Sequence, residues 1–389
     1  MPTHMESNES ESPSDPQPHV PHTQQPAPSE TAHTLPLQPL GFVFTGNTNE
    51  YFRIWIVNLL LSIITLGFYW PWAMVRTRRY FYSNTHLDGH SFDYLAKPKN
   101  LLIGYLIVLI FFAIYLLAGL FNPLFIYPVI LVYGLAAPWM IYKAFRFRAK
   151  NIAYRNVRFK FCGNLGDSYV TFLVWASLIP FTFGFILPYW EMKKKEYFFD
   201  NLQFGKTFFN FKPKAAEYYK CYLLFLAIGI GLYLILIFLV IGAAALFGAT
   251  ADTSNPDIFA EEGLTILMII GAVFGYAVLI LIGVVFQNGL WLLIFNYNLS
   301  VWNLGRFVFE SKMKFAKYVG IAVGNVFASI FSLGLLIPWA KIRITKYRME
   351  NIYVLESGGE LGEHFEAEME DEGAFGEAAT DFMDFEVGL

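Results

Sequence analysis

The sequence predicts a mainly α, polytopic membrane protein built from internal repeats, with short cytoplasmic β-hairpins, and three observations carry that prediction. The composition is 56% hydrophobic and only 15% charged, with a mean hydropathy of +0.43, far from that of a soluble chain. The run Leu101 to Leu120 carries no charge and is long enough to cross a hydrocarbon core of about 30 Å. One phrase also recurs: an apolar segment, Pro-Trp or Pro-Tyr-Trp, a basic stretch, then Asn thirteen residues after the Pro. It occurs at Pro71 to Asn84, Pro138 to Asn151, Pro188 to Asn201 and Pro338 to Asn351.

A fixed period marks a duplicated unit. Phe42, Phe44, Gly46, Asn47, Gly67, Pro71, Tyr80, Phe81 and Asn84 recur 117 residues later as Phe159, Phe161, Gly163, Asn164, Gly184, Pro188, Tyr197, Phe198 and Asn201. A weaker copy 267 residues beyond the first keeps Phe309, Gly334, Pro338, Trp339, Ala340, Tyr347 and Asn351. The organisation that follows is a Pro-rich tail (1–40), membrane repeat 1 (41–157), membrane repeat 2 (158–305), a truncated repeat 3 (306–355) and an acidic tail (356–389). Both tails are low in apolar residues and read as disordered. No apolar signal-peptide region opens the sequence.

Charge is segregated. Residues 1–40 carry five acids and 356–389 carry twelve, with no Lys or Arg in either. That leaves 14 of the 31 acids for the body, which holds all 28 basic residues. Arg76, Arg78, Arg79, Lys97 and Lys99 lie between the first two apolar segments, and a second basic run follows Ile126 to Tyr142. The positive-inside rule puts both on the cytoplasmic side, with both tails, and the links Phe121 to Phe125 and Gly248 to Gly263 outside. Ile126 to Tyr142, Cys221 to Phe247 and Leu264 to Phe295 read as further spans.

The repeated apolar segments do not fit this parity. Tyr169 to Trp190 and Phe315 to Trp339 have basic residues at both ends. Each repeated segment also breaks at one place, through Thr65-Leu66-Gly67, Thr182-Phe183-Gly184 and Ser332-Leu333-Gly334. One reading is a segment that dips into the bilayer, turns and returns, giving four spans and three re-entrant segments. The other is ordinary spans with a Pro kink, giving seven. In the first, the Pro opens a basic interfacial helix, where its missing N–H is harmless.

After each Asn a hairpin is expected. Thr85 to Tyr94 turns at Asp88-Gly89, a good hairpin signal, Ile152 to Cys162 at Arg155-Asn156, and Leu202 to Phe211 at Gly205-Lys206. Tyr297 to Phe309 reads as a fourth, with one inserted residue. The alternating pairs Phe92 and Tyr94, Phe159 and Phe161, Phe209 and Phe211 each put two aromatics on one face, which needs covering. The hairpins are expected to form one sheet with the strands Phe42 to Thr45 and Ile352 to Leu355.

The stretch Phe42-Val-Phe-Thr-Gly, then Glu50-Tyr-Phe, Pro71-Trp-Ala, Arg78-Arg-Tyr-Phe-Tyr and Asn84-Thr-His-Leu-Asp-Gly-His-Ser-Phe-Asp-Tyr94, resembles the YjgN-like bacterial inner-membrane proteins. The resemblance covers about residues 41 to 355. It implies a polytopic fold in the bacterial inner membrane and no activity, because the family is one of unknown function.

Chemistry-bearing clusters are few. His86, Asp88 and His90 alternate and would share a face of one strand as a metal site, but the Asp-Gly turn competes with that arrangement. Cys162 and Cys221 are too few for a zinc site. No nucleophile elbow, Walker loop or dinucleotide fingerprint occurs, so neither an enzyme nor a bound cofactor is expected. Twelve basic residues should form a collar at one membrane face: Arg76, Arg78, Arg79, Lys143, Arg146, Arg148, Lys193, Lys194, Lys195, Arg343, Lys346 and Arg348. Their partner would be the phospholipid bilayer and its anionic lipids, not nucleic acid, since each flanks a membrane segment. Within the apolar segments, Asn58, Ser62, Thr65, Asn325, Ser329 and Ser332 are the neutral polar residues a solute path would use. The leading expectation is therefore a transporter- or channel-like protein for a small solute. The alternative is a lipid-interacting or scaffolding protein that binds anionic headgroups at its basic collar.

Overall fold

The computed structural model describes residues 39–250 and 258–356. Most of the expected tails and part of the link Gly248 to Gly263 lie outside them, but Pro39 and Leu40 of the first tail and Glu356 of the second are in strands. Two short strands, β1 (Pro39–Gly41) and β2 (Val43–Phe44), come first. Then helical hairpins alternate with β-hairpins around a ring. The first helical hairpin is α1 (Thr48–Ile64) and α2 (Trp70–Ser83), followed by β3 (Thr85–Leu87) and β4 (His90–Tyr94). Next come α3 (Pro98–Phe121) and α4 (Ile126–Lys150), with β5 (Ile152–Tyr154) and β6 (Val157–Phe161). The third pairs α5 (Leu165–Tyr169), a π-helical turn Val170–Val174 and α6 (Trp175–Phe181) with α7 (Leu187–Phe199), then β7 (Leu202–Phe204) and β8 (Thr207–Phe211). The fourth is α8 (Ala215–Thr250) and α9 (Ile258–Ser300), with β9 (Trp302–Leu304) and β10 (Phe307–Ser311). The last is α10 (Phe315–Phe331) and α11 (Ile337–Met349), ending in β11 (Ile352–Glu356).

The described residues thus contain three short helical hairpins alternating with two long ones. The long pairs supply the four helices that are long and apolar enough to cross a membrane: Pro98–Phe121, Pro123–Lys150, Ala215–Leu239 and Gly275–Ser300. In the short hairpins the first arm is 17 residues in α1 and 17 in α10. At 1.5 Å per residue that is about 26 Å, less than the roughly 30 Å needed to span.

The same turn ends each short first arm. Gly67 N–H bonds to Ser62 O at 2.7 Å and Leu66 N–H to Ile63 O at 3.1 Å, and the pattern repeats at Gly184 to Ile179 O and Gly334 to Ser329 O. This is the Schellman closure, with a left-handed residue where Gly is usual. Here that residue is Leu66 (φ 50°), Phe183 (φ 48°) or Leu333 (φ 51°). Pro71, Pro188 and Pro338 then open the return arms, as expected. Pro138 does not: it sits inside α4, because that copy lacks the Ser/Thr-x-Gly step and the helix runs through. The hydroxyl of Ser168 donates to the Pro138 carbonyl at 2.8 Å.

Two side chains of the repeated phrase fix where each hairpin ends. The Asn caps the preceding helix: its Nδ2 donates to the carbonyl four residues back, at 2.8 Å from Asn84, 2.7 Å from Asn151, 2.9 Å from Asn201 and 2.7 Å from Asn351. These carbonyls belong to the last turn, and those of Tyr80 and Phe147 also accept the Asn backbone N–H. The Tyr four residues before it latches the end of the hairpin to its beginning. Tyr80 OH accepts from Asn47 N and donates to Asn47 O, Tyr197 OH donates to Asn164 O at 2.9 Å, and Tyr347 OH accepts from Lys314 N at 3.0 Å. Each short hairpin therefore starts and finishes at the same place, next to the β-hairpins. The repeated Gly46 and Gly163 have a local cause as well: a Cβ there would lie 2.4 Å from the Phe44 ring and 2.6 Å from the Phe161 ring. In the third copy Ser311 replaces the Phe and Met313 replaces the Gly.

The β-hairpins join into one 11-stranded antiparallel sheet ordered β1-β11-β10-β9-β8-β7-β6-β5-β4-β3-β2. Its two terminal strands, β1 and β2, are consecutive in the chain, so the sheet closes on itself around Phe42. Strands pair across both boundaries between the repeats, Ala153 with Arg158 and Leu304 with Phe307. Asp88-Gly89 and Arg155-Asn156 take positive φ at both turn positions, while Gly205 and Gly305 do so at the first, as two-residue hairpin turns require. The fourth hairpin departs from the sequence expectation. Tyr297 to Ser300 remain helical, and no residue is inserted. Tyr297, Val301 and Gly305 keep the spacing of Tyr197, Asn201 and Gly205, with Val in place of the capping Asn. Tyr297 OH still latches, accepting from Lys214 N at 2.6 Å.

Tyr197→Phe removes one part-buried hydrogen bond and should lower stability by about 1 kcal/mol without changing the fold, read as a shifted unfolding midpoint in detergent. No shift would mean that the latch is incidental to the hairpin.

Candidate functional site

The inner face of the nearly closed sheet is aromatic, and its outer face is mixed, with Phe208 and Val308 exposed among polar residues. The inward cross-strand partners are Phe92 with Tyr154, Phe159 with Phe204, Phe209 with Leu304 and Phe309 with Val354. Between them, pointing outward and exposed, stand Asp93, Lys160 and Asn210. The inward rings stack face to face along the wall, with Phe209 and Trp302 at 4.7 Å and Trp302 and Phe309 at 4.7 Å between centroids. They leave a chamber of about 850 Å3. Its far wall comes from helices: Glu191, Lys195 and Phe199 of α7, Tyr222 of α8, and Gln287, Leu290, Trp291 and Asn298 of α9. The α9 residues belong to a membrane-length segment, so the chamber extends from the sheet to the level of the long helices.

The chamber is electrically quiet. Glu191 meets Lys194 at 2.5 Å and Lys195 at 3.7 Å, and the Asn298 Oδ1 accepts from Tyr218 OH at 2.6 Å. Tyr154 OH donates to Leu87 O at 2.7 Å, and burial pushes its pKa up to about 12, partly offset by Arg155. Burial likewise raises Tyr197 to about 12. Both phenols stay protonated at neutral pH and act as donors.

A second pocket of about 410 Å3 adjoins the chamber through Phe159, Phe199 and Trp302, which line both. It is lined by Arg78, Tyr82, Tyr94 and Arg148 among apolar residues, with no carboxylate. Arg78 Nη1 donates to Tyr94 OH at 2.7 Å.

The twelve collar residues divide by what they touch. Arg79 bonds the carbonyls of Tyr94 and Ala96, at 3.3 and 3.2 Å, and Arg146 bonds Tyr142 OH at 3.2 Å. Lys193 is paired with Glu196 at 2.6 Å, Lys194 and Lys195 with Glu191, and Lys346 with Glu350 at 3.8 Å. Arg343 lies over Trp339, and Arg348 bonds Tyr318 OH and lies 4.1 Å from the Trp291 centroid. Arg76 is exposed and Lys143 half-buried. Arg78 and Arg148 alone among the twelve line the second pocket. Lys341, which belongs to none of the basic clusters, ties the ends of the ring: its Nζ donates to Tyr51 OH at 3.1 Å and sits 4.9 Å from the Phe81 centroid. Burial pushes the Lys341 pKa down, and the Arg78 charge adds to this.

The neutral polar residues are not gathered along one path. Asn58 Nδ2 reaches Ala73 O at 3.4 Å and Asn325 Nδ2 reaches Ala340 O at 3.0 Å, each bridging the two arms of its own hairpin. Thr65 and Ser329 donate to carbonyls of their own helices, Ser332 accepts from Leu336 N, and the Ser62 carbonyl accepts from Gly67. His86, Asp88 and His90 diverge. His86 Nε2 lies 3.2 Å from Thr45 Oγ1, Asp88 is in the turn 3.8 Å from Arg155, and His90 Nδ1 bonds the Asp88 carbonyl at 2.8 Å. Among the described residues no group of three His, Cys, Asp or Glu could hold a metal ion.

A family profile described as "Bacterial protein of unknown function (DUF898)" matches residues 39–382. The chain belongs to the DUF898 family. This DUF898 chain is 36% identical over 136 residues to "Inner membrane protein YjgN" of Escherichia coli O157:H7 and of E. coli strain K12, covering 34% of each chain. It is 38% identical over 125 residues to the protein of that name from Salmonella typhimurium strain LT2, covering 31% of this chain and 30% of the relative. The chain thus matches about a third of the length of these relatives. No solved structure matches it. With four membrane-length helices and inner-membrane relatives, the DUF898 chain is an inner-membrane protein.

Asn325→Leu removes the side-chain bond between the two arms of its hairpin and should cost about 1 kcal/mol, measured as loss of folded protein on heating in detergent. An unchanged midpoint would free Asn325 for a role outside its hairpin.

Proposed function

We propose that this protein is a lipid-interacting membrane protein whose aromatic chamber takes the apolar part of a lipid-like molecule. The observation that carries this reading is the 850 Å3 chamber itself, walled by inward rings and reaching the membrane-length helix α9. Pockets for apolar ligands are concave, mostly apolar and furnished with a few polar groups. Here those groups are Gln287, Asn298 and the neutralised Glu191–Lys195 pair.

In this reading the short hairpins dip into one leaflet and return. Three facts support that arrangement. Their arms are too short to span, and their ends are latched together. The third is the tips, where Leu66, Phe183 and Leu333 are 90%, 95% and 95% exposed. A left-handed backbone costs a non-Gly residue roughly 1–2 kcal/mol, so a bulky apolar side chain there is best explained by an apolar surrounding. The basic faces of α2, α7 and α11 then lie at the headgroup level, and the sheet and both tails on the cytoplasmic side, as the positive-inside rule asks.

A second reading, passage of a small solute, draws on the same chamber, because residues of the long helices α8 and α9 line it. It draws little from Asn58, Ser62, Thr65, Asn325, Ser329 and Ser332, whose bonds lie within their own hairpins.

Leu290→Trp places an indole into the chamber from α9. Lipid co-purifying with the protein, counted by native mass spectrometry, should fall several-fold while the protein stays folded by gel filtration. Undiminished lipid would count against the chamber as the binding site. Solute flux in vesicles lost in the same variant, with lipid retention unchanged, would favour passage.

A further inference from the structure

We propose that Arg78 and Arg148 form a headgroup site for an amphipathic phosphate whose apolar part lies in the chamber, an inference that rests on the lipid-interacting reading. Two guanidinium groups face a pocket of about 410 Å3 that no carboxylate lines. Elsewhere in the collar, Lys193, Lys194, Lys195 and Lys346 have their own carboxylates. Arg148 makes no hydrogen bond or ion pair among the described residues, and Arg78 spends one donor on Tyr94 OH. Two cations held together without an anion repel each other, and a bound phosphate relieves this with charge-assisted, bidentate hydrogen bonds.

The wall between pocket and chamber gives the second half of the argument. Phe159, Phe199 and Trp302 line both spaces, so a head held by the arginines has its tail directed past these rings into the apolar chamber. The indole Nε1 of Trp302 is buried there without a hydrogen-bond partner. A buried donor left unpaired is costly, and a ligand oxygen at the junction would satisfy it. An apolar chamber next to a doubly cationic recess, with a free N–H at their shared boundary, matches a net-anionic phospholipid better than a fully soluble anion. It also disfavours a choline headgroup, whose own cation would enter the recess.

The test uses the full chain in mixed nanodiscs of phosphatidylglycerol and phosphatidylcholine, with bound lipid identified by native mass spectrometry, and glycerol 3-phosphate titrated separately in detergent. The unsubstituted protein should enrich phosphatidylglycerol about tenfold over bulk, and Arg78→Gln with Arg148→Gln should bring the ratio near parity. Arg148→Gln alone keeps the Arg78–Tyr94 bond, so it guards against a folding defect and should lose most of the preference. Lys346→Gln, at a collar lysine that lines neither space, should leave it unchanged. Enrichment that persists in the double variant overturns the site, while total lipid retained in that variant leaves the chamber reading standing. If lipid is absent but glycerol 3-phosphate binds and is lost in the double variant, the site takes a free phosphate and the chamber reading fails alone. If neither ligand depends on the two arginines, the proposal is wrong.

Discussion

Closure of the sheet through residues 39–44 is the constraint on which the rest of the structure depends. β1 pairs with β11 and β2 pairs with β3, so a stretch interrupted only by Phe42 joins the last strand of the chain to the first hairpin. Phe42 N–H bonds Ile352 O at 3.3 Å and Thr45 N–H bonds Asn84 O at 3.0 Å, holding the seam on both sides. Because no long edge is left unpaired, the aromatic face has only one direction to point, and helices must cover it. The chamber is what remains where that cover is incomplete. Each short helical hairpin is in turn fixed by the Asn that caps its second arm and the Tyr that bonds back to the residue opening it. Contacts between residues about 300 apart in sequence make this a slow topology to assemble, which sets it apart from the local helical hairpins it ties together.

Much of this is legible in the sequence because its causes are local. The Pro, the Ser/Thr-x-Gly step and the Asn act within a few residues, so those residues alone place the turns and caps. The doubled aromatics foretell a covered sheet face. Closure is legible only as added strands, since β2 is two residues long and has no pattern of its own. The fourth hairpin escapes a correct reading because Val301 hides the cap position while Tyr297 keeps the latch. Pairing within α7 is hidden too: three lysines look like a positive patch until Glu191 and Glu196 are seen beside them. Spacing cannot reveal the Arg78–Arg148 pocket, because its two cations come from different helical hairpins. Asn58 and Asn325 read as path residues from composition, but their amides bond carbonyls exposed by the return arm, a partner only the folded hairpin creates.

The functional picture follows from how polarity is distributed. The amide nitrogens of Asn58 and Asn325 bond within their own hairpins while their Oδ1 atoms are buried without a partner. Several collar lysines are paired with carboxylates, and Arg78 and Arg148 face one recess beside the apolar chamber. Family membership adds the inner membrane as the setting and leaves the activity to be decided by this local chemistry. The exposed apolar tips make the same point from the other side, as they place bulky side chains where backbone strain would favour Gly.

The central claim is that a ring of hairpins, three of them dipping into one leaflet, holds a lipid-like molecule against the inner face of a closed sheet. Cryo-electron microscopy of the protein in a lipid nanodisc tests it most directly. The account predicts Leu66, Phe183 and Leu333 at similar depth within one leaflet, and elongated density running from the chamber to the recess beside Trp302. Short hairpins lying outside the bilayer, or an empty chamber closed off from the membrane, would contradict it.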